Sequence, residues 1–193
     1  NQALELAGNL DLVNIIKEYG GRIMVVNPSS DKWQEQDLED FRRLIGMGGS
    51  PTNVKVIGIG SGATFVNRQL AATELTGVIA GIVSIDGEPG KICRLPVPAF
   101  IGGKNAAKVA KPYQTTSDSA PADPLQKVVV NTDKKASLET LFAEAWDKVL
   151  SANYRYNNLY RTFYMSRGID NPEGVKNFEL VSIPVFDKLG IQR

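Results

Sequence analysis

A glycine-rich turn between a strand and a helix constrains the fold of this 193-residue chain more than any other feature. It closes the apolar run at residues 54–59 and reads Gly58-Ile59-Gly60-Ser61-Gly62-Ala63. Glycines on both sides of a tight strand-to-helix turn are typical of a nucleophile elbow, G-x-S-x-G, whose backbone is strained. Gly60 occupies the place of the nucleophile, so the pattern predicts the turn without its reacting atom.

The sequence contains no histidine, which limits the serine chemistry that this turn could support. Histidine is the usual base that activates a serine or a cysteine, so a hydrolase would need a base from elsewhere. Ser61 stands one residue after the nucleophile position, where an elbow contributes a backbone N–H to an oxyanion hole. Ser61 is a nucleophile only if the turn is shifted by one residue. Otherwise we expect Ser61 to cap the following helix.

Composition excludes several classes of function. With 22 Lys and Arg against 21 Asp and Glu, the formal net charge is +1, which predicts neither a nucleic-acid partner nor binding to an anionic membrane. The single cysteine, Cys93, excludes an internal disulfide, and we expect it to act as a small apolar residue. No apolar run approaches 18 residues, so we expect no membrane span. No metal and no cofactor are predicted.

Strands and helices alternate along the chain, which predicts an α/β fold with a mostly parallel sheet and right-handed crossovers. Ligands of such sheets bind at the carboxyl ends of the strands. The predicted strands are 22–26, 54–59, 77–85, 96–101, 128–130 and 178–183. The predicted helices are 9–19, 38–45, 64–73 and one that starts at the N-cap Ser137.

Two further segments have distinctive compositions. Residues 111–124 are rich in Ser, Thr, Pro, Asp and Ala, which predicts a surface loop or lid. Residues 154–164 interleave aromatic residues with arginines, a pattern that could stack on bases or sugars. Because the net charge is nearly neutral, we interpret this segment as a packed excursion near the site.

From about Gly20 to Arg193 the chain resembles the α/β-hydrolase superfamily, and within it the esterases and polyhydroxyalkanoate depolymerases of the feruloyl-esterase type. The resemblance rests on residues 22–28, 37–41 and 82–87 and on the elbow. It implies a single domain over residues 1–193, a three-layer sheet with helices on both faces, and a secreted or extracellular location. The family's first strands would precede Asn1, so the sheet edge is expected to need a second chain or a missing segment.

All three positions of the family's catalytic triad depart from its pattern. Gly60 replaces the nucleophile, Asn105 stands at the acid position of Ile101-Gly102-Gly103-Lys104-Asn105, and the histidine is absent. The resemblance therefore implies a catalytically inactive domain that binds a small-molecule or ester ligand, or a partner, at the strand ends. Truncation could explain the missing histidine, but it explains neither Gly60 nor Asn105.

Two other functions stay open from the sequence. In the first, the chain is an active carboxylic ester hydrolase with Ser61 as nucleophile, Asp86 or Asp118 as acid, and a base from a missing segment. In the second, the loop of Gly58, Gly60, Ser61 and Gly62 binds the phosphate of a sugar phosphate or nucleotide at a helix N-terminus. Asp86 would then be the ribose partner, as in dinucleotide-binding folds.

Overall fold

A computed structural model describes residues 2–9, 23–47, 54–73, 79–94, 97–118 and 128–150. The helices are α1 (Gln2–Asn9), α2 (Gln36–Met47), α3 (Ser61–Phe65), α4 (Ala106–Asp118) and α5 (Leu138–Ala145). Single π-helical turns continue two of them, π1 (Val66–Leu70) after α3 and π2 (Trp146–Leu150) after α5. The strands are β1 (Val54–Ile59), β2 (Ile79–Ile85), β3 (Ala99–Gly102) and β4 (Val128–Asn131).

The four strands form one parallel sheet in the order β1-β2-β3-β4. Ile57 pairs with Val83, Ile82 with Ala99, and Phe100 with Val129. Every residue of β2 is buried. A parallel strand covered on both faces needs apolar side chains on both sides, which is why β2 shows no alternation of apolar and polar residues.

Helices cover both faces of this sheet. Alternate residues of a strand point to opposite faces, so Ile82 and Val83 of β2 enter different cores. The first core joins the sheet to α2, π1 and α4, and the second joins it to α1, α5 and π2. The described residues therefore have the layered, parallel α/β architecture that the sequence predicts.

The predicted start of α5 is confirmed by its cap. Ser137 has extended backbone angles, φ −70° and ψ 161°, and its Oγ accepts a hydrogen bond from the Thr140 N–H at 3.2 Å. This bond satisfies one of the N–H groups that have no partner within the first turn. The expected apolar face is also present, because Leu141, Phe142 and Ala145 are buried.

The predicted strand at residues 22–26 is wrong for the part that the structure describes. Residues 23–28 form no strand, and Ile23 and Met24 are 37% and 55% exposed. The Ile, Met and Val side chains have the composition of a strand, but a strand also requires a hydrogen-bonded neighbour. Residues 23–26 make no ladder with β1 in this structure.

The predicted loop or lid at 111–124 is wrong over residues 111–118, which belong to α4. Pro112 lies inside this helix and has no N–H for the carbonyl of Lys108. Packing of Val109, Ala110 and Tyr113 in the first core stabilises the helix against that local preference. Residues 119–124 lie outside the described part of the chain.

The other predicted element boundaries differ less from those in the structure. Helix α1 ends at Asn9, where the sequence predicted a helix to begin, and residues 10–19 lie outside the described ranges. The strand predicted at 96–101 starts three residues later, at Ala99. The segments 154–164 and 178–183 are also outside the described residues. Among the helices that are described, none is long and apolar enough to cross a membrane.

Candidate functional site

The carboxyl ends of β1, β2 and β3 share an uncommon backbone conformation. Gly60, Asp86 and Gly103 each follow the last residue of one of these strands, and their φ angles are 58°, 56° and 98°. They are the positive-φ residues of the described ranges. Positive φ is uncommon outside glycine and clusters at functional sites. We call the surface formed by these three strand ends the strand-end site.

The turn after β1 is a tight elbow centred on Gly60. Gly60 has φ 58° and ψ −117°, immediately precedes α3, and donates its N–H to the Ile85 carbonyl at 2.9 Å. A Cβ on Gly58 would lie 2.6 Å from the Cα of Ala63, so only glycine lets α3 approach β1 this closely. At the predicted nucleophile position, Gly60 thus occupies a backbone conformation that a residue with a side chain would enter only with strain.

Ser61 is the first residue of α3, and its side chain is exposed. The expectation that Ser61 caps this helix is wrong, because the capping position is Gly60 and no side chain caps the helix. Ser61 is one residue too late in the chain for the N-cap role. Within the described residues, its hydroxyl makes no hydrogen bond to a base or an acid. No residue in the described ranges is placed to activate Ser61.

A relay of three hydrogen bonds connects the elbow to Asn105. The Thr64 hydroxyl donates to the Gly60 carbonyl at 3.3 Å and accepts the Glu88 N–H at 3.0 Å. The Asn105 amide then donates from Nδ2 to Glu88 Oε1 at 3.1 Å. The loops after β1, β2 and β3 are thereby held together, and the predicted acid position holds an amide whose donor already binds a carboxylate.

Asp86 lies on the loop after β2 and is exposed. Its N–H donates to the Gly102 carbonyl, and its Oδ1 accepts the Lys104 N–H, both at 3.0 Å. A Cβ on Gly103 would collide with the Asp86 carboxylate, so glycine at 103 makes room for this side chain. The structure thus brings Asp86 and Asn105 to the same edge of the sheet as Gly60. The side chain of Asp118 is not among those described.

The geometry is a poor fit to a phosphate-binding loop. The Gly60 N–H faces the neighbouring strand rather than a ligand. Helix α3 has only five residues before the π turn. Two carboxylates, Asp86 and Glu88, stand on the adjacent loop, and their charge opposes an anion. In the described ranges no group of three or more His, Cys, Asp or Glu side chains is arranged to hold a metal ion.

A buried polar contact anchors the loop that carries Asp86 and Glu88. Asn67 of π1 donates from Nδ2 to the Glu88 carbonyl at 2.8 Å, and its Oδ1 accepts the Tyr113 hydroxyl at 2.9 Å. Burial, and then the nearby Cys93, raise the pKa of Tyr113 above its ordinary value. The phenol thus stays protonated and keeps donating. Cys93 is buried, as expected for a small apolar residue.

An aromatic pair lies one helical turn from Ser61. Trp33 stacks on Phe65 with ring centroids 4.5 Å apart, and Phe65 is four residues after Ser61 on α3. The loop that carries Trp33 is fixed by the buried carboxylate of Asp37, which accepts the N–H groups of Ser29 at 2.9 Å and Gln34 at 2.7 Å. Trp33 therefore has a defined position beside the elbow.

Sequence reasoning missed several of these groups. The residues not predicted are Trp33, Thr64, Asn67, Glu88 and Tyr113. Glu88 lies two residues after Asp86 and could have been included on proximity alone. The others act through contacts between segments far apart in the sequence, for which a single sequence carries no signal.

The fold and the strand-end site place this chain in the α/β class with a parallel sheet. Comparison with protein-family models, with curated proteins and with solved structures found no match.

Proposed function

We propose that this chain is an α/β-hydrolase-like domain without catalytic activity, and that its strand-end site binds a small-molecule or ester ligand. The observation that carries the proposal is Gly60 itself, which combines an elbow backbone with the absence of a side chain. A strained strand-to-helix turn of this kind is what a nucleophile elbow requires at its central residue. This geometry supports our interpretation of the turn as an elbow without its nucleophile.

The rest of the site supports the absence of catalysis. A serine hydrolase needs a nucleophile, a base that takes its proton and an acid that orients the base. The chain has no histidine, and Asn105 binds Glu88 through the amide that replaces a carboxylate. Strand-end loops joined by the relay from Gly60 to Asn105 would still form a rigid binding surface. Such rigidity favours binding, because little ordering remains to be done when a ligand arrives.

A fluorophosphonate that labels activated serines tests the catalytic half of the proposal. We expect that exposure to the probe changes neither the intact mass of the wild-type chain nor that of Ser61→Ala. Labelling of the wild type that disappears in Ser61→Ala would contradict the proposal. That result would instead support the alternative, an active carboxylic ester hydrolase that obtains its base from another segment.

The fluorescence of Trp33 tests the second half of the proposal, that the strand-end site binds a ligand. The second tryptophan, Trp146, is buried in the second core. In Trp146→Phe all tryptophan fluorescence therefore comes from Trp33 beside the elbow. We expect p-nitrophenyl butyrate to remain unhydrolysed and to change this fluorescence saturably. Ribose 5-phosphate should have no effect. A saturable response to ribose 5-phosphate that Gly60→Val abolishes would favour phosphate binding, and no response to either compound would contradict a small-molecule site.

A further inference from the structure

The loop after β2 takes the partners of its backbone groups from helix side chains. We call residues 86–90 the anchored loop, and they form no helix or strand. The Glu88 N–H donates to the Thr64 hydroxyl at 3.0 Å, and the Glu88 carbonyl accepts Asn67 Nδ2 at 2.8 Å. Backbone N–H and C=O groups require such partners, and this loop finds them on α3 and π1. The position of the anchored loop therefore depends on where those side chains lie.

The turn that carries Asn67 is π1, which is wider than a turn of α-helix. The Ala71 N–H donates to the Val66 carbonyl at 2.8 Å, across five residues instead of four. Single π turns inside α-helices are rare and occur frequently at functional sites. Arg68, the next residue of π1, donates from Nε to the Pro89 carbonyl at 3.3 Å. The irregular turn is thus the surface on which the anchored loop rests.

Close packing couples the anchored loop to Asn67. A Cβ on Gly87 would lie 2.8 Å from Asn67 Nδ2 and 2.7 Å from the Cβ of Ala63. A Cβ on Gly90 would collide with the Asn67 carbonyl oxygen. The loop therefore approaches the helix at distances where no side chain fits. Because close-packed atoms transmit strain, a shift of Asn67 shifts the loop.

Tyr113 of α4 orients the Asn67 side chain. An asparagine amide has a donor end and an acceptor end, and rotating it by half a turn exchanges them. The Tyr113 hydroxyl donates to Asn67 Oδ1 at 2.9 Å, so Nδ2 is the end that faces the Glu88 carbonyl. Asn67 and Tyr113 are 1% and 3% exposed. Away from water these hydrogen bonds are stronger, and losing one leaves its partner unsatisfied.

The anchored loop carries two carboxylates of the strand-end site. Glu88 Oε1 accepts Asn105 Nδ2 at 3.1 Å, and Asp86 Oδ1 accepts the Lys104 N–H at 3.0 Å. Both carboxylates therefore bind neighbouring residues of the loop after β3, and both side chains belong to exposed residues. A displacement of the anchored loop would break these bonds and move both carboxylates.

We infer that Asn67 and Tyr113 are positioning residues of the strand-end site. Both are buried, so they act through the Glu88 backbone and not by touching a ligand. Tyr113 fixes the Asn67 amide, Asn67 fixes the anchored loop, and the loop sets where the carboxylates of Asp86 and Glu88 lie. The effect on a ligand rests on the proposed function. The effect on the loop does not, so the two effects are measured separately.

Hydrogen exchange of Tyr113→Phe tests the effect on the loop. This variant removes the hydroxyl and keeps the ring that packs in the first core. We expect the Glu88 and Lys104 amides to lose about fivefold in protection, because the loop opens more often once Asn67 is no longer oriented. The amides of β3 should keep their protection. Unchanged protection of Glu88 and Lys104 would overturn the inference.

Thr73→Val is the matched control for this measurement. It also removes a buried hydroxyl, which donates to the Leu70 carbonyl at 2.7 Å at the end of π1. We expect the Glu88 and Lys104 amides to keep their protection in this variant. A loss equal to that in Tyr113→Phe would mean that any buried hydroxyl of this region has the same effect, and would overturn the inference.

Two substitutions of Asn67 separate its hydrogen bonds from its packing. Asn67→Leu keeps the approximate volume and removes both donor and acceptor. In Asn67→Asp, burial raises the pKa of the introduced carboxyl group, which at pH 5 can donate to the Glu88 carbonyl and accept the Tyr113 hydroxyl. At pH 5 we expect Asn67→Leu to lose about fivefold or more in protection of the Glu88 amide, and Asn67→Asp to keep it. An equal loss in both variants would overturn the inference.

Ligand affinity tests the effect on the site. In the Trp146→Phe background, the fluorescence of Trp33 is titrated with p-nitrophenyl butyrate at pH 5. The Glu88 carbonyl must turn away from an apolar side chain to reach water, so we expect Asn67→Leu to raise the Kd about fivefold or more. Asn67→Asp and Thr73→Val should leave the Kd unchanged.

The two possible failures are distinguishable. An unchanged Kd in Asn67→Leu, in a chain whose anchored loop has lost protection, would overturn the inference. If p-nitrophenyl butyrate gives no response with the wild-type site, the proposed function fails instead. Hydrogen exchange would then still decide whether Asn67 and Tyr113 position the anchored loop.

Discussion

Gly58, Gly60 and Gly62 of the elbow differ in whether and why glycine is needed, and alanine substitution can separate these causes. Gly60 has φ 58° and ψ −117°, a backbone conformation that residues with a Cβ rarely adopt. Holding such a residue in a sparsely populated region costs about 1–3 kcal/mol. We therefore expect Gly60→Ala to lower the free energy of unfolding by about that amount, chiefly through local strain.

The flanking glycines should respond in opposite directions. A Cβ on Gly58 would lie 2.6 Å from the Cα of Ala63 and 2.8 Å from its N, and both are backbone atoms that no side-chain rotation can move. Overpacking of this kind costs about 1–3 kcal/mol and sometimes more, so Gly58→Ala should be at least as harmful as Gly60→Ala. A Cβ on Gly62 meets nothing within 4 Å, and Gly62 is helical. Gly62→Ala should stabilise the protein by about 0.5–1 kcal/mol.

Urea unfolding followed by tryptophan fluorescence measures the series. The expected order of stability is Gly62→Ala, wild type, Gly60→Ala and Gly58→Ala, with similar m-values that show a common unfolding reaction. Gly62→Ala is the matched control, since it makes the same chemical change two residues away. If Gly60→Ala were as stable as the wild type, the positive φ at Gly60 would be refuted. The proposed loss of a nucleophile from an intact elbow would then lose its main support.

Three further substitutions test the core and the loops. Burial lowers the pKa of Lys55 to about 8, and its Nζ donates to the Val149 and Leu150 carbonyls. Stability should rise with pH between about 8 and 10.5, because in that range the unfolded chain still holds the proton that the folded chain has lost. Chemical unfolding at pH 8 and 9.5 should show this rise in the wild type and not in Lys55→Met; over the full range it amounts to at most about 3.4 kcal/mol. The Ser29 hydroxyl and the N–H groups of Gln34 and Ser29 lower the pKa of Asp37, so its stabilisation is present above the ordinary carboxyl pKa and is lost as the pH falls through the lowered value. Asp37→Asn should weaken this acid dependence, and unfolding curves from pH 6 to 3 that coincide with those of the wild type would contradict it. Ser84 is 1% exposed, and its Oγ has no hydrogen-bond partner in the described structure, so Ser84→Ala should be neutral or raise the melting temperature, whereas a loss above about 1 kcal/mol would reveal a hidden partner.

Much of the fold could be predicted because its signals are local. The apolar run of β2 marks a strand covered on both faces, and the spacing of apolar residues after Ser137 marks a helix with one buried face. The glycines at 58 and 60 predict the tight turn whose backbone angles the structure shows at Gly60. Composition and Pro112 predict a loop at 111–118, but the packing of Tyr113 and its neighbours in the first core makes this segment helical.

The sequence by itself determined the α/β class, the tight turn at Gly60, the absence of histidine and the start of α5. Each of these depends on residue identity or on spacing within one segment. Only the tertiary structure decided that Asp86 adopts a positive φ, that Thr64 and Glu88 connect Gly60 to Asn105, and that Lys55 reaches the carbonyls at the end of π2. These features join segments that are distant in the sequence, and their partners are chosen by the packing of the whole sheet. Residues 23–26 show the same division, because their side chains favour a strand but they pair with no strand of the described sheet.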